Sequence, residues 1–135
     1  GDINFSTGNG NVGGYSTGGT ATNFENIKVG ASNTAAKEYG VGMATGYYDE
    51  TTHATSNEGT IINRGKIEVS KPNTMGMYAV GPNSKAINYG DIDLTGNDTI
   101  GMYLDRGAKG ENWGHIQTTA SGLKGVKGIY LSNGS

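Results

Sequence analysis

Residues 88–116 read NYGDIDLTGNDTIGMYLDRGAKGENWGHI, and this stretch begins and ends with the same pattern, N-x-G-x-I. The first copy is Asn88–Ile92 and the second is Asn112–Ile116, so the pattern returns after 112 − 88 = 24 residues. A fixed period of this length is typical of repeat architectures, in which each repeat is one structural unit. The stretch therefore predicts one full repeat and the start of the next.

The same repeat extends through the rest of the chain. A further copy lies 25 residues earlier at Asn63–Ile67, Asn23–Ile27 is a degenerate copy, and Gly1-Asp2-Ile3 resembles a copy cut at its front. A second motif, Gly-Met-Tyr or a variant of it, follows each first motif, at 13–15, 42–44, 76–78, 101–103 and 128–130. The two motifs together predict five repeats: 1–22, 23–62, 63–87, 88–111 and 112–135.

The apolar residues alternate with a period of two, which is the period of β-strands. In "TIGMYL", strict alternation places Ile100, Met102 and Leu104 on one face, and Gly101 and Tyr103 on the other. Strands that recur every 24 or 25 residues fit the coils of a parallel β-helix, stacked at about 4.8 Å. We therefore predict a single all-β, right-handed parallel β-helix of about five coils, one of them enlarged by loop insertions.

Composition agrees with a solenoid and excludes several functions. The chain has 25 Gly and only 33% hydrophobic residues, which disfavours helices and suits a thin core shared by many short strands. The formal net charge of −2 provides no basic field for nucleic acid or anionic membranes. The lack of Cys removes disulfides, thiol catalysis and cysteine-based zinc sites. No apolar run is long enough to span a bilayer.

Stacking converts the motif positions into columns of equivalent residues. Two columns should face the core: Ile3, Ile27, Ile67, Ile92, Ile116, and Gly14, Met43, Met77, Met102, Ile129. An asparagine column should hold either left-handed turns or amides bonded along the rod: Asn23, Asn63, Asn88, Asn112. The glycine two residues after each Asn allows positive φ or a close backbone approach. An outward aromatic stripe is the one column with a binding role: Tyr15, Tyr78, Tyr103, Tyr130.

These motifs resemble the passenger domains of large autotransporter adhesins, especially fusobacterial ones. The resemblance rests on N-x-G-x-I at 63–67, 88–92 and 112–116, on Gly-Met-Tyr, and on "GMYLDRGA" at 101–108. It covers the last 75 or so residues better than the first 60. The resemblance implies a virulence-associated β-helix on the bacterial surface, tethered to the outer membrane by a C-terminal barrel that lies outside this sequence. It implies no shared catalytic motif.

Repeat 2 departs from the period and is where a binding site is expected. Asn23 and Asn63 are 40 residues apart, so two segments should leave the rod, roughly 30–39 and 47–56. Insertions in solenoids map to loops, and such loops often bind partners. The second segment has the densest mix of aromatic, acidic and imidazole side chains: Tyr47, Tyr48, Asp49, Glu50 and His53. We predict contact with a protein or glycan there, and assign no metal or cofactor.

A catalytic alternative rests on carboxylates of the first strands. Stacking places Glu68 beside Asp93, with Asp91 in the neighbouring column between Lys66 and His115. Carboxylates on adjacent coils reach the separations that glycosidases use, although any two adjacent coils bring them that close. The opposite charges of Lys66 and Asp91 should mildly stabilise the rod, whereas Glu68 and Asp93 would be like-charge neighbours.

Three functions are therefore compared for this sequence. The first is a non-catalytic extracellular segment that binds a host or bacterial cell-surface protein or glycan, or that forms the stalk presenting such a surface. The second is a polysaccharide-active enzyme fragment using Glu68, Asp91 and Asp93. The third is a self-association module whose terminal strand edges pair with another copy or with neighbouring coils of a longer chain.

Overall fold

The computed structural model describes residues 3–4, 10–118 and 120–134, and these form a parallel β-solenoid with three sheets. The first sheet contains β1 (Ile3–Asn4), β4 (Asn26–Lys28), β9 (Lys66–Val69), β12 (Asp91–Leu94) and β15 (His115–Gln117). The second contains β2 (Val12–Ser16), β5 (Val41–Thr45), β10 (Thr74–Val80), β13 (Thr99–Asp105) and β16 (Lys127–Ser132). The third contains β3 (Thr20–Asn23), β8 (Thr60–Asn63), β11 (Lys85–Asn88) and β14 (Lys109–Asn112).

The strand register confirms the predicted solenoid. Each of these sheets is parallel, and successive coils align the isoleucine column of the first sheet residue by residue, as in Ile67 beside Ile92. The column through Met43, Met77 and Met102 aligns in the second sheet in the same way. Both columns face one continuous core, to which the third sheet adds a smaller apolar column. Gly1 and Asp2, the predicted start of the first motif, lie outside the described residues.

The asparagine column lies where the third sheet ends and the chain turns toward the first. The amide of Asn63 donates to Oδ1 of Asn88 at 2.9 Å, and the amide of Asn88 donates to Oδ1 of Asn112 at 2.9 Å. Asn63 and Asn88 are fully buried, and no asparagine of the column has positive φ. Of the two predicted roles, amides bonded along the rod are therefore correct and left-handed turns are not. The following glycines also lack positive φ. A Cβ on Gly90 would lie 2.1 Å from the carbonyl oxygen of Gly65, so close approach explains them.

Replacing Asn88 with Asp should destabilise the rod, because the buried amide donates to Asn112 and to the carbonyl oxygens of Gly90 and His115. A carboxylate cannot donate, and it would face those oxygens without compensation, at a cost of about 2–4 kcal/mol. Asn112→Asp is the matched control, since Asn112 accepts from Asn88 through Oδ1 and a carboxylate keeps that role. Chemical denaturation of both variants tests this. Equal losses would show that the ladder is not what the substitution breaks.

The second sheet departs from strict alternation at one position in each coil. Two consecutive residues face the core, Gly101 and Met102 in β13, while Ile100 faces solvent. The prediction that Ile100 shares the inward face of Met102 is therefore wrong. The cause is the glycine: a Cβ on Gly101 would lie 2.6 Å from Cγ2 of Ile116, so only glycine lets the backbone pass this close to the isoleucine column.

Gly42→Ala should test this contact. The new Cβ would lie 2.5 Å from the carbonyl oxygen of Gly76 and 2.8 Å from Cγ2 of Ile67, and overpacking of this kind costs about 1–3 kcal/mol. Gly19→Ala is the matched control, because no atom lies within 4 Å of a Cβ there and Gly19 lacks positive φ. We expect a lower melting temperature for the first variant only. An unchanged melting temperature for Gly42→Ala would contradict the close-packing explanation.

Both insertions of the enlarged coil flank β5. The first, between β4 and β5, is closed by paired backbone hydrogen bonds between Asn33 and Glu38, around the short 3₁₀ helix Thr34–Ala36. The second follows β5 and contains the antiparallel hairpin β6 (Tyr47–Tyr48) and β7 (Thr55–Ser56). The amide of Gly46 donates to the carbonyl oxygen of Asn57 at 3.1 Å, so the hairpin leaves and rejoins the rod at nearly one point.

The charged outer face of the first sheet has the predicted stacking but different pairs. Lys66 lies beside Asp91 in register, yet its Nζ contacts Glu68 at 3.0 Å and Asp93 at 3.4 Å. The lysine therefore lies between the two carboxylates expected to repel each other, and those contacts, first of all with Glu68, raise its pKa. Asp91 is 3.2 Å from Nδ1 of His115 instead. Diagonal pairing replaces the predicted column because the long lysine side chain reaches two residues along the strand.

Candidate functional site: an aromatic groove on the second sheet

The outer face of the second sheet carries two parallel rows of side chains. One row consists of the residues that precede the inward glycines: Val12, Val41, Met75, Ile100 and Lys127. The other consists of the residues that follow the inward methionine column: Tyr15, Ala44, Tyr78, Tyr103 and Tyr130. Val41, Ala44 and Met75 pack together there with Ile100 and two of the tyrosines, as an apolar cluster separate from the core.

A groove of about 550 Å³ lies along these rows. Its floor is apolar, because Val41, Ala44 and Met75 line it. Two further tyrosines line it from outside the sheet, Tyr39 from the first insertion and Tyr47 from the second. They are exposed over 41% and 55% of their surface, and neither hydroxyl has a hydrogen-bond partner among the described residues. The site is thus built from regular coils beneath and from the enlarged coil at its sides.

The tyrosine stripe is interrupted within the groove. Tyr78, Tyr103 and Tyr130 are adjacent, with ring centroids 5.2 and 5.0 Å apart. Ala44 occupies the next position of the row, and Tyr15 follows it. The hydroxyl of Tyr15 donates to the carbonyl oxygen of Gly46 at 3.0 Å, which fixes that ring at the end of the groove. Ala44 contributes no ring to the row, and its side chain is buried, with 4% of its surface exposed.

The five loop residues singled out in the sequence do not form one cluster. Tyr47 lines the groove, whereas Asp49 shapes the hairpin turn by accepting from the backbone amides of Thr51 and Thr52. His53 has positive φ in that turn, and its ring lies edge-on to Tyr48 at 6.3 Å. Glu50 is exposed and lines a smaller neighbouring hollow. A binding role for these residues stays a prediction, and the geometry places only Tyr47 in the larger groove.

Tyr48 attaches the hairpin to the rod two coils away. The guanidinium of Arg106 lies 3.5 Å from the centroid of the Tyr48 ring and contacts Asp105 at 2.5 Å. Asp105 also accepts from the side-chain amide of Asn133 at 2.8 Å. A cation over an aromatic face contributes about 0.5–2 kcal/mol, depending on its exposure. The hairpin is therefore held beside the groove by a specific contact, which positions Tyr47.

The carboxylates of the catalytic alternative are all engaged. Glu68 and Asp93 share Lys66, the amide of Gln117 donates to Asp93 at 2.9 Å, and Asp91 lies beside His115. Across residues 3–4, 10–118 and 120–134, no three His, Asp or Glu side chains come close enough together to hold a metal ion. In the same ranges, no helix has the length and apolar character needed to cross a bilayer.

Several residues of the groove were missed in the sequence. Val41, Met75 and Ile100 were assigned no role or an inward position, and Tyr39 was read only as part of a loop. A signal for the first three exists: an apolar residue directly precedes the glycine in "VGM", "MGM" and "IGM". No comparable signal exists for Tyr39, because its position depends on the path of an irregular insertion.

Comparison with known families gives one match. The family model of the BigA third pectate lyase-like domain matches residues 1–115. The chain belongs to this family. The pectate lyase-like architecture named for the BigA domain agrees with the solenoid described above, and BigA is an adhesin-type protein. The chain is thus a β-helix segment of an adhesin-like protein. No curated protein and no solved structure matches the chain.

The BigA family name refers to a fold and carries no activity with it, since one fold hosts many functions. The function therefore has to be argued from the surface of this chain. The groove lies on the second sheet, and the engaged carboxylates lie on the outer face of the first. The two candidate regions are accordingly separate and can be tested one at a time.

Tyr78, at the centre of the groove, should lose its phenol proton at a higher pH than an exposed tyrosine. Burial, followed by the nearby charge of Asp105, raises its pKa to about 12. The unfolded chain ionises near pH 10 while the folded phenol stays neutral, so stability should fall as pH rises from about 10 to 12, by at most about 1.4 kcal/mol per pH unit. Denaturation across this range, compared with Tyr78→Phe, tests this. Identical pH dependence in both proteins would contradict a buried, late-titrating Tyr78.

Proposed function

We propose that this chain is a non-catalytic, extracellular segment of a bacterial surface autotransporter adhesin, and that it binds a cell-surface partner through the aromatic groove. The motif resemblance to autotransporter passenger domains, of which the fusobacterial ones are the most similar, supports the class. Membership of the BigA domain family supports an adhesin-like protein. In the full-length protein the segment would stand outside the cell, tethered to the outer membrane, with further coils as neighbours.

The observation that carries the proposal is an apolar, tyrosine-lined groove beside the single enlarged coil. Tyr15, Tyr39 and Tyr47 are exposed over 41–55% of their surface there, and clusters of exposed large apolar side chains often mark binding sites. Tyrosine supplies a large, rigid contact area at low entropic cost, and its hydroxyl adds a hydrogen bond. The two insertions bring Tyr39 and Tyr47 to one side of the rod, where a repeat without insertions would leave the floor open.

Single substitutions at the groove should remove binding without unfolding the rod. Tyr39→Ala and Tyr47→Ala change exposed side chains that make no hydrogen bond within the described part of the chain. The free energy of unfolding should therefore change by less than about 0.5 kcal/mol. Binding of the labelled chain to host cells, or to arrays of surface proteins and glycans, should weaken about tenfold or more. Tyr89→Ala is the matched control, an exposed tyrosine that lies under Arg64 on another side of the rod.

Loss of binding by Tyr89→Ala with full binding by both groove variants would place the binding site at Tyr89 and Arg64 and not at the groove. A deletion of 47–56, which joins Gly46 to Asn57, tests the contribution of the hairpin separately from that of the floor. It should lower the free energy of unfolding by no more than about 0.5–2 kcal/mol, the contribution of the lost contact between Tyr48 and Arg106, because Gly46 and Asn57 already meet at 3.1 Å. Turnover of a polysaccharide that Asp91→Asn or Asp93→Asn abolishes would overturn the non-catalytic proposal.

A further inference from the structure

The groove is elongated along the rod. Its lining begins at Val12 and Tyr15 in the first coil and ends at Gly125 and Lys127 in the fifth. Four spacings of about 4.8 Å separate these coils, so the lined length is about 19 Å. A compact ligand would use only part of that length, whereas an extended chain would use all of it.

The lining is both apolar and rich in phenol groups. The tyrosine rings provide flat faces with a hydroxyl at the edge, and Val12 and the half-buried Ile100 add apolar surface, whereas the floor residues beneath them are buried. Such a surface matches a ligand that itself has apolar C–H faces and hydroxyl edges. Sugar rings have this character, because their C–H groups point to the two faces and their hydroxyls point mainly outward.

Charge in the groove is low and balanced. Among its described lining residues, Asp98 and Lys127 are the charged ones, they have opposite signs, and both lie near the last two coils. An acidic chain, such as a uronic acid polymer, needs several cations along its length, and the floor and the tyrosine walls supply none. The electrostatics therefore favour an uncharged ligand.

An extended peptide fits this surface poorly. β5, β10 and β13 are paired on both sides within the second sheet, so their backbone groups are already bonded. Peptides that add to a sheet do so at an open edge, where the main chain finds partners. On this face a peptide would leave its amides and carbonyls against apolar side chains, which is costly. A glycan chain has no such obligatory backbone ladder.

We infer that the groove binds an uncharged, extended glycan, with its sugar rings laid on the tyrosines along the rod axis. This inference rests on the proposed binding function and names its ligand class. Ala44 has a particular part in it. It interrupts the tyrosine row between Tyr15 and Tyr78 and is buried at 4% exposure, so a ring added at this position would project into the groove where the sugar lies.

The test uses the intact chain and defined oligosaccharides. An array of neutral and acidic glycans identifies a neutral class, and calorimetry then follows that class from disaccharide to hexasaccharide, with hexagalacturonate as the acidic comparison. Affinity should rise with each added sugar until the chain fills about 19 Å and then level off. Hexagalacturonate should bind at least about tenfold more weakly than the neutral hexasaccharide.

Three variants test where on the chain the hexasaccharide binds. Tyr47→Ala should weaken hexasaccharide binding about tenfold, and Ala44→Tyr should weaken it similarly because the added ring would occupy part of the groove. Tyr89→Ala should bind as the parent does. Ala44→Tyr continues an existing tyrosine row, and its melting temperature is checked first. If it does not fold, Tyr39→Ala replaces it, because that side chain is exposed at the edge of the groove.

The outcomes separate this inference from the proposed function. If no neutral glycan binds, but cell or protein binding is lost in Tyr47→Ala, the glycan inference is wrong and the binding function stands. If acidic glycans bind more tightly, or if affinity does not depend on chain length, the inference is also overturned. If neither cells, proteins nor glycans are bound through the groove, both proposals fail.

Discussion

The isoleucine column of the first sheet packs directly onto the backbone of the second, and glycine is the residue that permits this. Cγ2 of Ile67 lies 2.8 Å from where a Cβ of Gly42 would be, and Cγ2 of Ile92 lies 2.9 Å from that position on Gly76. Two consecutive residues then face inward in each coil, and the residue before them is turned to the outer face of the sheet, where Val41 and Met75 are buried beneath the groove. The outer apolar row therefore follows from how the core is packed.

This constraint connects the scaffold to the candidate site. The coils supply the floor through their register, since each of the first four adds one apolar side chain to the outer face and each of the five adds one aromatic or small side chain. The enlarged coil adds Tyr39 and Tyr47, which regular repeats lack. The floor of the groove and its outer tyrosines thus come from two different parts of the sequence. The regular repeats determine the position and direction of the groove, and the insertions add the tyrosines at its sides.

The repeat was sufficient to predict the fold class, the strand columns and the existence of two insertions, because a 24-residue period leaves few alternatives for stacking. Strict alternation failed at Ile100, because it takes no account of two adjacent inward residues around a glycine. The pairing of Lys66 with Glu68 and Asp93, in place of Asp91, depends on side-chain reach and not on register. The convergence of Tyr39 and Tyr47 depends on irregular loops, for which no periodic rule exists.

The asparagine ladder has a direction. The side-chain amides of Asn23, Asn63 and Asn88 each donate to Oδ1 of the asparagine on the next coil, and the ladder ends at Asn112. Aligned amide dipoles polarise one another, so the column carries a lasting electrical polarity along the rod. An asparagine on a coil stacked beyond Asn112 would continue the ladder only if it presented its side-chain oxygen to the Asn112 amide. The two ends of the rod are therefore chemically different at the level of single side chains, one offering an amide donor and the other an acceptor.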